Sequence, residues 1–273
     1  MTMDLAKREK LDVCLHRLAQ KDCLLAFSGG ADSALLLVLL SRACQKAGTR
    51  LVAIHINTEL SPNEDLELAR SFAQKMNVSF EALHLNEWMN PEIVANGRDR
   101  CYHCKKLLFS TLKDFAQKRN IEHVIDGTNH DDLGQYRPGL KAIKELGIFS
   151  PLAYSGVTKA EVRSLLEELG LEVAHRPSSP CLATRFPYGR MLDRNWMQKI
   201  DKAERFIKDI GFFNVRVRLH ESTARIEVDK TDVSRLFEKR EIVTSELKSL
   251  GFTHISIDLE GFRSGSMDAT HES

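Results

Sequence analysis

The chain lacks any hydrophobic run near the length of about eighteen residues that a membrane-spanning helix needs. Residues 1–20 carry charged side chains and no apolar core, so they do not resemble a secretory signal. There is little excess of charge, since Lys and Arg number 39 and Asp and Glu number 38. That balance does not favour nucleic acid or anionic membranes as partners. These absences predict a cytoplasmic protein without membrane or nucleic-acid binding, in which cysteines stay reduced.

Two common phosphate-binding motifs are also missing, because the chain has neither the Walker A lysine with its spacing nor the Rossmann G-x-G-x-x-G. In their place, Ser28-Gly29-Gly30-Ala31-Asp32-Ser33 stands between a short apolar run and a helix-like run. A strand, a glycine-rich turn and a helix in that order direct backbone N–H groups and a helix N-terminus at one point. An ordinary βα turn is the alternative. Asp32 beside a phosphate indicates a bridging Mg²⁺.

This stretch resembles the SGG-x-D-S loop of the ATP-pyrophosphatase (PP-loop) superfamily. The resemblance implies cleavage of ATP between its α and β phosphates, which leaves an adenylylated substrate. It also implies a set of ATP-binding residues: Ser28, Gly29, Gly30, Asp32, Ser33 and Gly127.

Strand-like apolar runs alternate with helix-like segments in the first part of the chain. These runs are residues 23–27, 51–56, 78–85 and 123–125. Such alternation predicts a doubly wound α/β fold with a mostly parallel sheet, in which strands are covered on both faces. Ligands of this fold lie beyond the carboxyl ends of the strands, where the Ser28–Ser33 loop and the Asp126–Asn129 turn both fall.

The pattern changes at about Met191. Polar and apolar residues alternate over 213–219 and 224–228, which predicts an antiparallel sheet with one wet face. A single helix is expected over 232–249, and residues 269–273 are expected to form a loose tail. We therefore predict a PP-loop domain over residues 1–190 and a smaller α+β domain for substrate binding or oligomerisation over residues 191–273.

The six cysteines divide into two sets. Three lie on apolar stretches and are interpreted as small buried hydrophobic residues: Cys14, Cys23 and Cys44. Cys101 and Cys104 form a C-x-x-C at the start of a predicted helix, and Cys181 lies in a proline-rich loop. Three thiolates on a 4Fe–4S cluster leave one iron free for sulfide. A zinc site completed by His103 or His175 and dithiol chemistry without metal remain open.

Several motifs occur in order along nearly the whole chain. They are Ser28–Ser33, Asp126–Gly127, Tyr136–Ala142, Arg185–Gly189, Val215–Arg218, Ala224–Glu227 and Gly261–Gly265. This combination resembles the LarE family of ATP-dependent sulfur transferases. The resemblance implies thiolation of pyridinium-3,5-biscarboxylic acid mononucleotide during synthesis of the nickel-pincer nucleotide. It also implies a homo-oligomer such as a hexamer.

One branch of this family gives up the sulfur of its own cysteine. The other branch has three cysteines and resembles a 4Fe–4S enzyme that passes on a sulfide bound to the free iron of the cluster, which implies a sulfide source as a partner. The triplet Cys101, Cys104 and Cys181 is similar to the second branch. Whether Cys181 is a cluster ligand or a sacrificial sulfur donor stays open.

The chemistry needs a leaving group, which adenylylation supplies to a carboxylate. Asp32 with Mg²⁺ would then stabilise the charge on the departing pyrophosphate. Lys105 is a candidate catalytic phosphate contact, with a solvated helix lysine as the alternative. Four arginines suit a substrate with a phosphate and two carboxylates: Arg137, Arg185, Arg216 and Arg218.

Arg216 and Arg218 are two residues apart on a predicted strand and so share a face, although a solvated strand face would show the same pattern. Glu227 either orients these arginines or is an exposed strand acid. Three other functions are compatible with the PP-loop: a tRNA thiolase, an ATP-dependent amidoligase similar to NAD synthetase, and a nucleotide-binding redox sensor.

Overall fold

The computed structural model describes residues 3–62, 64–134, 137–176 and 180–263. Tyr136, Ser264 and Gly265 of the quoted motifs, residues 177–179 of the proline-rich loop and the expected tail lie outside these ranges. The chain divides into two compact units. The first comprises Met1–Thr58, Asn63–Ile93 and Asp99–Ser178, and the second comprises Glu59–Pro62, Val94–Arg98 and Ser179–Ser273.

The helices and strands of the described residues have the following bounds. The helices are α1 Leu5–Leu18, α2 Ala31–Ala47, α3 Glu64–Lys75, α4 Pro91–Val94, α5 Arg100–Lys118, α6 Gly139–Glu145, α7 Pro151–Tyr154, α8 Lys159–Glu168, α9 Arg194–Asp209, α10 Val233–Glu238 and α11 Arg240–Ser249. The strands are β1 Cys23–Ala26, β2 Leu51–Thr58, β3 Ser79–Leu85, β4 His123–Ile125, β5 Val215–His220, β6 Thr223–Val228 and β7 His254–Ile257. In the described ranges no helix is long and apolar enough to cross a membrane.

The first unit contains a parallel sheet with the order β3–β2–β1–β4. Side chains of β1 point alternately to two cores. Leu25 packs in a cluster with residues of α1 and α2, whereas Leu24 packs with Phe109 and Leu112 of α5. Helices therefore cover both faces of the sheet, which confirms the doubly wound α/β prediction.

The carboxyl ends of β1 and β4 meet at one edge of this sheet. Cys23 pairs with His123 and Leu25 pairs with Ile125, so the two strands run in register. The Ser28–Ser33 loop follows β1, and the Asp126–Asn129 turn follows β4. Parallel pairing thus brings two segments that are about a hundred residues apart to the same edge.

The second unit contains a sheet with the order β5–β6–β7. β5 and β6 are antiparallel, as predicted, but β6 and β7 are parallel. The expected wet face is wrong for β5, where Val215–Leu219 are all buried. The reason is that the arginines of β5 are neutralised by buried glutamates, so both faces of the strand are covered.

Two further boundaries differ from the sequence-based expectation. The helix expected over 232–249 is two helices, α10 and α11, separated at Lys239. The two units divide at Ser178, earlier than the predicted boundary at residue 190. Residues 180–185 join the second unit because they bond to it, for example through Arg218 Nη1, which donates to Thr184 O at 2.9 Å.

Candidate nucleotide site and cysteine turn

The glycine-rich loop has the geometry of an anion site. Gly29 has φ +77°, and a Cβ there would lie 3.2 Å from Ala69 Cβ, so both conformation and space require glycine. The Ser28 and Ser33 hydroxyls are 3.1 Å apart, and Gly30 N donates to Ser28 Oγ at 3.3 Å. Gly30 is the N-cap of α2 and makes no side-chain cap bond. The first N–H groups of α2 are therefore suited to phosphate oxygens.

The turn after β4 packs directly on the start of α2. A Cβ at Gly127 would lie 3.1 Å from Ser33 N and 3.4 Å from Asp32 Cβ. Asp126 fixes this turn by accepting bonds from the Thr128 and Ser150 hydroxyls. The absence of a side chain at Gly127 thus lets the turn approach the helix N-terminus.

Asp32 is held by two partners, one from the turn after β4 and one from α8. Asn129 Nδ2 donates to Asp32 Oδ1 at 3.2 Å, and the Lys159 ammonium is ion-paired with Asp32 Oδ2. Lys159 is the first residue of α8, directly after the N-cap Thr158. Sequence reasoning missed this residue. A signal was available, since a cation in the first turn of a helix opposes the helix dipole and needs an acidic partner.

Two arginines also approach this region. Arg176 donates from Nη1 to Gly29 O at 3.3 Å and from Nη2 to Asp65 Oδ1 at 2.7 Å. Arg137, predicted as a substrate ligand, is ion-paired with Asp132 at 2.9 Å. The loop is thus surrounded by cationic groups that suit a polyphosphate.

Asp132 adds a second carboxylate to this region. It exchanges hydrogen bonds with Asn129, since each backbone N–H donates to the other's side chain at 3.2 Å. Burial raises the pKa of Asp132, and the nearby Asp32 adds to this effect, while the Asn129 N–H and Arg137 oppose it. Asp32 and Asp132 are oxygen ligands of the kind that Mg²⁺ prefers.

The C-x-x-C begins α5. Cys101 and Cys104 are one turn apart and half-buried, and Arg100 Nη2 lies 3.6 Å from Cys101 Sγ. Lys105 packs its stem against Gly139, where a Cβ would lie 2.8 Å from Lys105 Cγ. Its ammonium lies 5.2 Å from the centre of the Phe109 ring. Gly139, part of the Tyr136–Ala142 motif, is therefore required for the close approach of α6 to α5.

Cys181 lies in the second unit, immediately before a 3₁₀ turn, Leu182–Arg185. We call residues 180–185 the cysteine turn. Arg185, predicted as a substrate ligand, has a side-chain exposure of 1% and is bonded to Glu204, which has 5%. Burial alone would lower the pKa of Arg185, but the charge and hydrogen bonds of Glu204 outweigh it and raise that pKa. The guanidinium is therefore a charged group inside the protein.

The two arginines of β5 are buried as well. Arg218 Nη2 donates to Glu227 Oε2 at 2.9 Å, and Arg225 Nη2 donates to Glu227 Oε1 at 3.1 Å. Glu227 is fully buried, so it is not the exposed strand acid that was the alternative, and of the two arginines of β5 it bonds Arg218. Arg216 stacks on Phe262 at 5.1 Å. Burial, followed by the charge of Arg185, lowers the pKa of Arg216 to about 10.

The six cysteines differ in their burial and in the unit to which they belong. Cys14, Cys23 and Cys44 are buried, as predicted. Cys101 and Cys104 belong to the first unit and Cys181 to the second. Over the described ranges, no group of three or more His, Cys, Asp or Glu side chains is placed to hold a metal ion. The cysteine triplet predicted from the sequence is thus divided between the two units, and only Cys101 and Cys104 share one.

Comparisons with known proteins agree with this geometry. A family model described as a PP-loop domain matches residues 3–133. The chain is 36% identical to pyridinium-3,5-bisthiocarboxylic acid mononucleotide synthase of Lactiplantibacillus plantarum, over 90% of this chain and 88% of that protein. It is 38% identical to an uncharacterized protein of Synechocystis, over 90% and 91% of the two chains.

A more distant relative shares only part of the chain. The tRNA-cytidine(32) 2-sulfurtransferase of Shewanella baltica is 25% identical over 56% of this chain and 47% of its own. The match to the mononucleotide synthase extends over most of both chains, and the PP-loop is built as an anion site. The chain belongs to the LarE family of PP-loop proteins, with an ATP-binding domain in its first part.

Proposed function

We propose that the protein adenylylates a carboxylate of pyridinium-3,5-biscarboxylic acid mononucleotide with ATP and converts it to a thiocarboxylate, with release of AMP and pyrophosphate. The family relationship supports ATP-dependent sulfur transfer as the general activity. The observation that carries the proposal is the anion site at the N-terminus of α2, with Asp32 held by Lys159 and Asn129. It occurs in a chain similar to the mononucleotide synthase over most of its length.

The first step is attack of a substrate carboxylate oxygen on the α-phosphorus of ATP. Pyrophosphate leaves, and its negative charge would be stabilised by the N–H groups of α2 and by the Lys159 ammonium. Asp32 would hold Mg²⁺, which would supply positive charge to stabilise the departing pyrophosphate. Lys105 remains a proposed phosphate contact.

The second step is attack of sulfide on the acyl carbon of the adenylate. AMP leaves with the former carboxylate oxygen, and the acyl carbon keeps the sulfur. No reductant or oxidant is needed when the donor is sulfide. Adenylylation is required because a free carboxylate would have to expel oxide.

The thiols are the proposed sulfur carriers. We infer from the family resemblance that Cys101, Cys104 and Cys181 hold a 4Fe–4S cluster in the loaded enzyme, supplied by an external sulfide source. Only Cys101 and Cys104 are neighbours within one unit, so no chemical step is assigned to the cluster. Delivery of sulfur from Cys181 itself is the competing route.

Substrate binding and assembly complete the proposal. Arg137, Arg216 and Arg218 are proposed ligands for the phosphate and carboxylates of the mononucleotide. Arg185, which the sequence also predicts as a ligand of this kind, is bonded instead to Glu204 and to the cysteine turn. A homo-oligomer such as a hexamer is proposed, to be checked by sedimentation equilibrium.

The function is tested by incubating the full chain anaerobically with ATP, Mg²⁺, the mononucleotide and sulfide. We expect AMP, pyrophosphate and a thiocarboxylate by mass spectrometry. Asp32→Asn should abolish all three products, whereas Asp114→Asn, on the exposed face of α5, should not. AMP formation without thiocarboxylate would refute the sulfur-transfer assignment.

The sulfur source is tested separately. Anaerobic purification should give a brown protein that contains iron and sulfide by chemical analysis. The Cys181→Ala protein should contain less iron. Full iron content and full thiolation in Cys181→Ala would rule out Cys181 both as a cluster ligand and as a sacrificial sulfur donor. Loss of sulfur from Cys181 after one turnover, seen by mass spectrometry of the peptide, would assign the sacrificial route.

A tRNA thiolase is the second candidate, favoured by the partial match to a tRNA sulfurtransferase. Such an enzyme binds the phosphate backbone of RNA, which favours a basic protein, yet the formal net charge of this chain is only +1. Salt-sensitive binding of tRNA, together with sulfur incorporation into it, would select this candidate over the mononucleotide.

A further inference from the structure

We propose that Arg185 is a positioning residue that fixes the main chain of Cys181 against strand β5 and does not bind substrate. The inference deepens the proposed function, because it concerns the residue to which a sulfur role is assigned. It is carried by hydrogen bonds on both sides of the Arg185 guanidinium. One side holds the cysteine turn and the other holds a buried glutamate.

The peptide groups that flank Cys181 are all anchored. Cys181 O accepts from Thr184 N at 3.1 Å, from Thr184 Oγ1 at 2.8 Å and from Arg185 Nη1 at 3.2 Å. Arg185 Nη1 also donates to Pro180 O at 3.0 Å. The next amide, Leu182 N, donates to Leu60 O at 2.6 Å. With these groups fixed, the Cys181 side chain has only its own torsion left to vary.

The opposite side of the guanidinium is bonded to α9 and β5. Arg185 Nε and Nη2 each donate to a Glu204 carboxylate oxygen at 2.8 Å. Glu204 Oε1 in turn accepts from Val217 N at 2.8 Å. A continuous chain of bonds therefore joins Cys181 O, Arg185, Glu204 and the backbone of β5.

This arrangement leaves no part of Arg185 for a ligand. Each of its three nitrogens donates to a protein oxygen, and the side chain is 1% exposed. A substrate anion could reach it only by breaking the bidentate pair with Glu204. A lysine would keep the charge but has one donor centre, so it cannot bond Glu204 and the cysteine turn in this geometry.

Amide hydrogen exchange of the ligand-free full chain tests the proposal. In Arg185→Lys, the amides of Leu182 and Thr184 should exchange about tenfold faster, the factor expected from losing a hydrogen bond to a charged group. Amides of β2 should keep wild-type rates. Arg205→Gln is the matched control, because Arg205 pairs with Asp201 on the same helix as Glu204 but lies at the surface.

Kinetics supply the second readout. Arg185→Lys should lower kcat for thiolation about tenfold while the KM for the mononucleotide and the single-turnover release of pyrophosphate stay unchanged. Thr184→Val removes the hydroxyl that donates to Cys181 O and accepts from Arg185 Nη1. It leaves the Arg185 bonds to Pro180 O, Cys181 O and Glu204 in place, so it should produce a smaller change of the same kind. If the Arg185→Lys protein unfolds globally, the Thr184→Val protein decides the question. Faster exchange of the Leu182 and Thr184 amides in Thr184→Val supports the proposal, and unchanged exchange of these amides refutes it.

Unchanged exchange at Leu182 and Thr184 in Arg185→Lys would overturn the proposal. A raised KM with unchanged exchange would do the same and make Arg185 a substrate ligand. If the wild-type protein forms no thiocarboxylate, the proposed function fails, while the exchange experiment still decides whether Arg185 positions Cys181.

Discussion

Lys159 and Asp32 form an ion pair at the start of α2, although 127 residues separate them in the sequence. The ammonium therefore lies where phosphate oxygens would meet the helix N-terminus. Asp32 is also the residue that we assign to Mg²⁺. Binding of Mg–ATP would let Lys159 exchange the carboxylate for phosphate and leave Asp32 to the metal, so the site keeps its charge balance in both states.

Lys159→Ala should lower the rate of pyrophosphate release about a hundredfold, the effect typical of removing one preorganised group that stabilises a developing charge. Coupled phosphate detection after pyrophosphatase measures this rate. Lys144→Ala, an exposed lysine on α6, serves as the control. Equal rates in both variants would show that Lys159 pairs with Asp32 for structural reasons alone.

Gly127→Ala should weaken ATP binding about tenfold, because the new Cβ would press on Ser33 N and displace the turn from α2. Gly134→Ala is a close control, since a Cβ there meets nothing within 4 Å. Isothermal titration with a non-hydrolysable ATP analogue gives both affinities. Wild-type affinity in Gly127→Ala would mean that the turn can shift without disturbing the loop.

Glu204→Gln should destabilise the folded state by about 3–5 kcal/mol, because it leaves the buried Arg185 charge uncompensated. Urea unfolding measures this free energy. Glu241→Gln on α11 removes a carboxylate that is 91% exposed and should have almost no effect. A loss below about 1 kcal/mol in Glu204→Gln would indicate that water or another acid replaces the carboxylate.

The same pair predicts how stability depends on pH. Burial would raise the pKa of Glu204, but Arg185, with help from Arg216 and the Val217 N–H, lowers it below its ordinary value of 4.5. The pair therefore stabilises the fold fully above the pKa of the unfolded chain, and this contribution is lost as the pH falls through the lower folded value.

The gap in urea midpoint between wild type and Glu204→Gln measures this contribution. It should be constant above pH 6 and should narrow as the pH is lowered below about 4.5. A gap that stays constant down to pH 3 would contradict the lowered pKa.

The sequence predicted the parts of the fold that depend on local pattern. The strand, loop and helix from Cys23 to Ala47 follow directly from a buried apolar run, two glycines and helical periodicity. The separation of α10 from α11 at Lys239 carries no glycine or proline signal. It was missed because no helix-breaking residue marks the end of α10.

In the candidate site, too, the sequence predicted what local pattern determines and missed what depends on contacts between distant segments. The loop and the Asp126–Asn129 turn were predicted because parallel strands end at one edge. Burial of Arg216 and Arg218 was not, because the strand pattern cannot reveal that glutamates from other elements neutralise them. Alternation of polar and apolar residues looks the same whether the polar face meets water or buried counter-charges.

Helix α1 also bears on the nucleotide site. Lys7 is bonded to both oxygens of Glu161, which closes the capping box with Thr158 next to Lys159. The start of α8, where Lys159 stands, is thus tied to α1. A shortened protein that begins after residue 10 would lose the Lys7–Glu161 bonds. Weak nucleotide affinity in such a protein would then result from the loss of these bonds and not from a change in the Ser28–Ser33 loop.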